Sequence, residues 1–179
     1  MIEKYALFRA IDGLRDQNEY SIRGLAKKTG IGIATAKVCL DYLFSKDMVK
    51  RKIVGKSHIY SFDTANYLTR YTKILFSLIE INDSSIVKEI VARYPVNSIV
   101  LYGSAARGED DTKSDIDILV ISRKKISMPL KSEKNLKREV TLLIYTLPEW
   151  RRKSKEDKVF YDRIIIDGIP LYGDIPIVS

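Results

Sequence analysis

Cysteine and histidine are almost missing from this chain: Cys39 and His58 are the single copies of each. A lone thiol excludes an intramolecular disulfide, and one thiol with one imidazole leaves no pair of soft ligands for a zinc site. Any metal must then be held by carboxylates. Long apolar runs are lacking too. No stretch approaches the roughly 20 apolar residues that cross a bilayer, and the segment Met1 to Arg9 is interrupted by charge before an apolar core of signal-peptide length can form. There is no internal repeat and no low-complexity tract. These absences lead to the expectation of a cytoplasmic protein with no membrane association.

What the chain does have is material for real cores, with 45% hydrophobic residues in 179, enough for one mid-sized domain or two small ones. Lys and Arg number 31 against 23 Asp and Glu, a formal charge of +8 that favours an anionic partner such as nucleic acid or nucleotide. The basic excess is densest in the amino-terminal third.

Tyr5, Leu7, Phe8, Ile11 and Leu14 fall at helical spacing and predict a first helix from Glu3 to about Gln17. Ser21 stands in N-cap position before a second helical run. Thr29-Gly30-Ile31-Gly32 breaks that run, and Ile33 to Ser45 resumes it. After Asp47 the period changes to two, predicting a hairpin with a basic first strand over Met48 to Phe62. Tyr67, Leu68, Tyr71, Ile74, Leu75 and Leu78 mark a helical connector, followed by a cap-rich break at Asn82 to Ser85 and a helix over Ile86 to Tyr94. Past Pro95, the apolar runs Ser98 to Tyr102 and Ile116 to Ile121 read as buried strands, and Arg138 to Thr146 as a third. Pro148-Glu149-Trp150 opens a charged helix with Trp150 as its core anchor, and a helix near Val159 to Ile166 and a closing Ile169 to Gly173 segment complete the pattern. The fold class expected is α+β, divided as residues 1–65, a connector 66–83, and a second domain 84–179.

Chemistry concentrates in two short blocks. The first strand stops at Gly103-Ser104 and turns into Ala105-Ala106-Arg107, where backbone N–H groups and a hydroxyl suit a phosphate. Most Gly-Ser pairs are ordinary turns, so this block alone is weak. In the second, Ser114-Asp115-Ile116-Asp117, carboxylates at i and i+2 of a strand point to one face. They repel one another, and the arrangement makes sense if divalent cations neutralise them, with Mg²⁺ or Mn²⁺ completing its shell from phosphate oxygens.

Leu101-Tyr102-Gly103-Ser104-Ala105-Ala106-Arg107-Gly108 followed by Ser114-Asp115-Ile116-Asp117-Ile118-Leu119-Val120 resembles the minimal nucleotidyltransferase branch of the DNA polymerase beta superfamily. The resemblance implies that Gly103 and Ser104 hold the phosphates of an NTP and that Asp115 and Asp117 ligate the metal. Members of that family carry a third carboxylate on a later strand, and Thr141 stands at the position that aligns with it. Glu139, two residues earlier on the same face, is either the substitute or a solvated edge charge. Arg107 either reaches a phosphate or is a surface residue before acidic Glu109-Asp110-Asp111.

Residues 21–49 with the basic hairpin resemble a winged helix-turn-helix domain. That resemblance implies Thr35 and Lys37 in the major groove of double-stranded DNA, Lys50, Arg51, Lys52 and Lys56 on its backbone, and a homodimer. The other reading is a protein-binding winged helix with solvated charges, since Ala34, Val38 and Asp41 make the exposed helix face poor in base-reading side chains. Two functions follow as expectations. One is NMP transfer from an NTP to an acceptor, coupled to DNA binding. The other is a DNA-binding or antitoxin-like regulator whose transferase fold binds nucleotide but is catalytically impaired.

Overall fold

The computed structural model describes residues 5–124, 126 and 130–178. The chain divides into two compact units, residues 1–73 and 74–179. The division falls inside helix α4 (Tyr67–Ser84).

In the first unit three helices pack on one another: α1 (Ala6–Leu14), α2 (Ile22–Thr29) and α3 (Ile33–Ser45). Their shared core contains Leu14, Leu25, Leu40 and Leu43, none with exposed surface, and each contributes about 2 kcal/mol of apolar burial. Ala26, Ala36 and Cys39 are buried as well. Ser21 caps α2 by accepting the Gly24 N–H at 3.0 Å, and Gly30 ends it, its N–H donating to the Ala26 carbonyl at 2.9 Å. α1 closes at Leu14, short of the predicted Gln17, which takes a positive φ of 59°. The predicted start at Glu3 lies outside the described residues.

Strands β1 (Tyr20–Ser21), β2 (Val49–Val54) and β3 (Ser57–Phe62) form an antiparallel sheet in the order β1-β3-β2. Met48, Val49, Tyr60 and Phe62 root the hairpin in the core, while every residue of β2 after Val49 is exposed. β2 is therefore an edge strand that leaves the body of the unit, and its alternation separates two solvated faces.

The second unit is built on a four-stranded sheet in the order β6-β5-β4-β7. Its strands are β4 (Val96–Tyr102), β5 (Ile116–Ser122), β6 (Val140–Tyr145) and β7 (Ile169–Tyr172). β4 runs antiparallel to β5 and β7, and β5 parallel to β6. On one face Ile99, Leu101, Ile118 and Val120 pack with Ile81 of α4, Ile86 and Ile90 of α5 (Ile86–Arg93), and Leu130 and Leu136. On the other, Val100, Leu119 and Ile121 pack with Trp150 of α7 (Leu147–Glu156) and Ile164 of α8 (Lys158–Asp167). Covering on both faces is why β4 and β5 read as continuous apolar runs.

Thr146 and Glu149 form a capping box at the start of α7: the Glu149 carboxylate accepts the Thr146 N–H at 2.7 Å and its hydroxyl at 2.8 Å. The Trp150 indole donates to the Pro176 carbonyl at 2.7 Å, pinning the C-terminal segment. A short 3-10 turn at Lys131–Asn135 has no counterpart in the sequence patterns. Glu89 of α5 caps it by accepting from Lys131 N, Ser132 N and Ser132 Oγ.

Candidate functional site

β4 ends at Tyr102, whose antiparallel partner on β5 is Asp117. The chain then turns into the short helix α6 (Gly103–Arg107), with Gly103 at φ 75°. Gly103 lies against the Asp117 side chain so closely that a Cβ there would overlap carboxylate Oδ2 and crowd Cγ at 3.0 Å. Glycine is thus required twice over, by backbone conformation and by contact. Ser104 is half-buried at the next position, with Ala105 and Ala106 buried beneath it.

From Gly108 the chain loops to Asp111, whose Oδ1 accepts the Lys113 N–H at 2.8 Å, the Ser114 N–H at 2.9 Å and the Ser114 hydroxyl at 2.9 Å. Hydrogen bonding to the Lys113 and Ser114 amides and the Ser114 hydroxyl holds the Asp111 carboxyl below the usual carboxylate range, against the opposing effect of its burial. This turn delivers Asp115, exposed, and Asp117, half-buried, to the start of β5. By the period of two they share the face of Leu119 and Ile121, the side on which α7 and α8 pack.

Burial first, and the charge of Asp115 second, push the Asp117 carboxyl up, while Arg107 acts in the opposite direction. The two acids and Arg107 therefore share one electrostatic environment. Arg107 Nε donates to Glu109 Oε2 at 2.7 Å. Tyr102, to which the strand pattern assigns no role beyond closing β4, belongs to the same surroundings: burial, then the nearby Asp117 charge and then Tyr145, push its phenol up. Its ring meets Phe160 of α8 edge-on at 5.7 Å. Only the register of β4 against β5 places a tyrosine beside Asp117, so the signal lay in pairing and not in any local motif.

The position beside Asp117 on β6 is Thr141. Glu139 precedes β6, is exposed, and by alternation shares the face of Thr141; its carbonyl accepts the Ile116 N–H at 2.8 Å. Among the described residues no three His, Cys, Asp or Glu side chains are grouped to hold a metal ion, so Glu139 is not gathered with Asp115 and Asp117 into a three-carboxylate cluster. The donor set that remains is two carboxylates, oxygen only. It fits a hard divalent cation that takes one or two protein carboxylates and fills its shell from phosphate and water.

In the first unit, Thr35 and Lys37 are exposed on α3, and Lys50, Arg51, Lys52 and Lys56 are exposed on the hairpin. The structure does not make one basic surface of them. Arg51 stacks on Phe44 of α3, its guanidinium 4.2 Å from the ring centroid. Lys50 and Lys52 occupy the opposite face of the strand and pair with Asp63 at 3.1 Å and Glu19 at 2.6 Å. Lys37 pairs with Asp41 at 2.6 Å. Exposed Val38 and Tyr42, 67% and 50% accessible, lie at helical spacing on α3.

The model of the nucleotidyltransferase domain family matches residues 84–166, a stretch that contains α5, both chemical blocks and the sheet up to α8. No curated protein matches the chain. Among solved structures the chain is similar to TrmBL2, an archaeal chromatin protein described as showing a novel mode of DNA binding. The identity is 16% and the TM-score 0.32, over 89% of this chain and 71% of that one. Among the described residues no helix is long and apolar enough to cross a membrane.

Proposed function

We propose that residues 84–166 form a nucleotidyltransferase site that binds a Mg²⁺- or Mn²⁺-bound NTP and transfers its NMP to an acceptor in the cytoplasm. The observation that carries this reading is the packing of Gly103 against Asp117, which joins the Gly-Ser turn and the acid pair into one site. The family match over the same residues supports it. Asp115 and Asp117 would hold the cation, and Gly103, Ser104 and Arg107 would take the phosphates. When bound, the cation neutralises phosphate charge and eases deprotonation of the attacking hydroxyl.

Around that group the chain's own residues have separable tasks. Gly103 keeps the turn open so that phosphate oxygens and the Asp117 carboxylate approach the same space. Arg107 supplies a charge-assisted donor once it exchanges Glu109 for a phosphate. Glu139, exposed on the same face, accepts the acceptor's proton. The acceptor oxygen forms a bond to the α-phosphorus, the bond from that phosphorus to the bridging oxygen breaks, and pyrophosphate leaves with the electron pair.

For the first unit we propose a winged helix-turn-helix domain that binds double-stranded DNA. The order α1, β1, α2, α3, β2, β3, with a three-stranded antiparallel sheet and a projecting basic hairpin, supports this reading. Lys56 and Arg51, both exposed, would contact phosphate, and Thr35 and Lys37, exposed near the start of α3, would enter the major groove. A homodimer would present two such helices to the major grooves of one duplex.

Thr141 opposite Asp117 favours a second reading, in which the site binds metal–nucleotide without transferring it and the protein acts as a DNA-binding or antitoxin-like regulator. Incubation with each α-labelled NTP, Mg²⁺ or Mn²⁺ and a cell lysate separates the two. Label on an acceptor with wild type, absent with the Asp115→Ala, Asp117→Ala double variant, supports transfer. Binding of metal–NTP with no transfer from any NTP favours the regulator.

A further inference from the structure

Arg138 stands just before β6 with its side chain only 2% exposed, and Asp110 opposite it is 1% exposed. Arg138 Nη1 donates to Asp110 Oδ2 at 2.5 Å and to the Asp111 carbonyl at 3.3 Å. Its Nη2 donates to Ser77 Oγ at 3.0 Å and pairs with Glu80 Oε2 at 3.2 Å. The Ser77 hydroxyl in turn donates to Asp110 Oδ2 at 3.1 Å, closing a ring of polar contacts beneath the sheet. Taking the charges of Arg138, Asp110 and Glu80 largely out of water is costly, and well-packed apolar residues often serve a fold as well or better. What such a cluster supplies is fixed geometry.

The geometry it fixes is that of the acid pair. Arg138 and Glu139 are consecutive. Arg138 grips residues 110 and 111, and the Glu139 carbonyl accepts the Ile116 N–H, the first rung between β5 and β6. Asp115 lies between these two anchors, on the loop that links the Gly-Ser turn to β5. Asp111, held through its carbonyl, shapes residues 113 and 114 through its side chain. We propose that Arg138, clamped on Asp110, is a positioning residue that sets where Asp115 and Asp117 meet a divalent cation and its nucleotide. This rests on the reading of the acid pair as a metal–nucleotide site.

The test measures Mn²⁺ binding to the full-length protein by electron paramagnetic resonance, alone and with each of ATP, GTP, CTP and UTP. Three variants are compared with wild type: Arg138→Lys, the apolar pair Arg138→Met with Asp110→Leu, and Asp115→Ala with Asp117→Ala. The apolar pair, which leaves Glu80 without Arg138, is expected to be less stable but still to unfold cooperatively, and to lose Mn²⁺–NTP affinity by about ten- to a hundred-fold, as removal of a ligand-orienting partner does. Arg138→Lys, which keeps the charge but not the fork, is expected to fall between. Asp115→Ala with Asp117→Ala is expected to abolish binding and so tests the parent reading, while its unfolding should match wild type more closely than that of the apolar pair. Amide exchange without metal supplies a second readout, with the Ile116 amide and residues 111–115 exchanging faster in the apolar pair. Wild-type binding that depends on the two aspartates, together with unchanged affinity and exchange in the apolar pair, overturns the proposal and leaves the parent reading standing. Wild-type binding indifferent to the two aspartates overturns the parent reading and this proposal with it.

Discussion

Gly103, in the turn that follows β4, and Asp117 of β5 share one small volume: the first leaves room that the carboxylate of the second fills. Replacing Gly103 by alanine removes that room. Gly55, in the hairpin turn, has a similar φ of 60° but nothing within 4 Å of its missing Cβ, so it serves as the control for backbone strain alone. Both changes are expected to cost about 1–3 kcal/mol for the left-handed conformation. Only Gly103→Ala should also displace Asp117 and abolish metal–NTP binding. Calorimetric titration of Mg²⁺–NTP beside urea unfolding checks this, and nucleotide binding that survives Gly103→Ala would disconnect the glycine turn from the acid pair.

Asp117 should also reveal itself through stability. Its carboxyl is pushed up by burial and by Asp115, so the folded protein holds this proton more tightly than the unfolded chain does. The sign follows from linkage: the penalty for charging Asp117 is absent below the unfolded pKa and complete once pH exceeds the raised folded value. At neutral pH without metal, Asp117→Asn is expected to raise the melting temperature while it weakens Mg²⁺–NTP binding. Adding Mg²⁺–NTP should reverse the order of the two proteins in a thermal melt. An asparagine variant less stable than metal-free wild type would place a stabilising partner on Asp117 instead.

The elements that carry this site were legible because their signals are local. Ile99 to Tyr102 and Ile116 to Ile121 are legible as strands from apolar runs interrupted only by Asp117, since packing on both sides leaves no regular polar alternation. The Ser21 cap and the Thr146–Glu149 box lay within a few residues of the helices they open. What could not be read is pairing at a distance. Nothing near Asp110 or Arg138 announces a buried ion pair across 28 positions. Nor does the basic hairpin reveal that Arg51 stacks on α3 while Lys50 and Lys52 face acids. Thr141 stands where the family pattern has its third carboxylate, and its pairing beside Asp117, like the position of Glu139 outside β6, depends on where the parallel ladder begins.

The division of cations on the hairpin has a consequence for the proposed DNA contact. Lys50 and Lys52 must leave Asp63 and Glu19 before they can neutralise phosphate, whereas Arg51 is already held in a defined orientation by Phe44. Arg51→Gln and Lys56→Gln are each expected to reduce the slope of log affinity against log salt by about 1, equally for all duplex sequences. Lys50→Gln and Lys52→Gln should change it less. Anisotropy titrations of a labelled duplex over a salt series decide the matter. If wild type shows no salt-dependent binding at all, the exposed Val38–Tyr42 face of α3 points instead to a protein partner.

The first unit carries its own pH-sensitive anchor. Asp16 Oδ2 accepts from Lys28 Nζ at 2.5 Å and from the Tyr20 hydroxyl at 2.5 Å, and Lys28 also donates to the Gly13 carbonyl at 2.6 Å, tying the end of α1 to α2 and β1. Burial works against the Asp16 charge, but hydrogen bonds from Lys28, Tyr20 and Asn18 more than reverse it and hold the carboxyl at about 2, against 3.8 for a free aspartate. A depressed folded value stabilises above the unfolded pKa, and the contribution fades as pH falls through about 2. Because the side chain keeps 17% exposure, the contribution at neutral pH is about 1–2 kcal/mol. Asp16→Asn should therefore speed amide exchange in residues 5–29 at pH 7 and lose that difference progressively below pH 4. An effect that persists undiminished at pH 2 would mean that the asparagine disturbs packing, and that the charge of Asp16 is not what ties the three elements together.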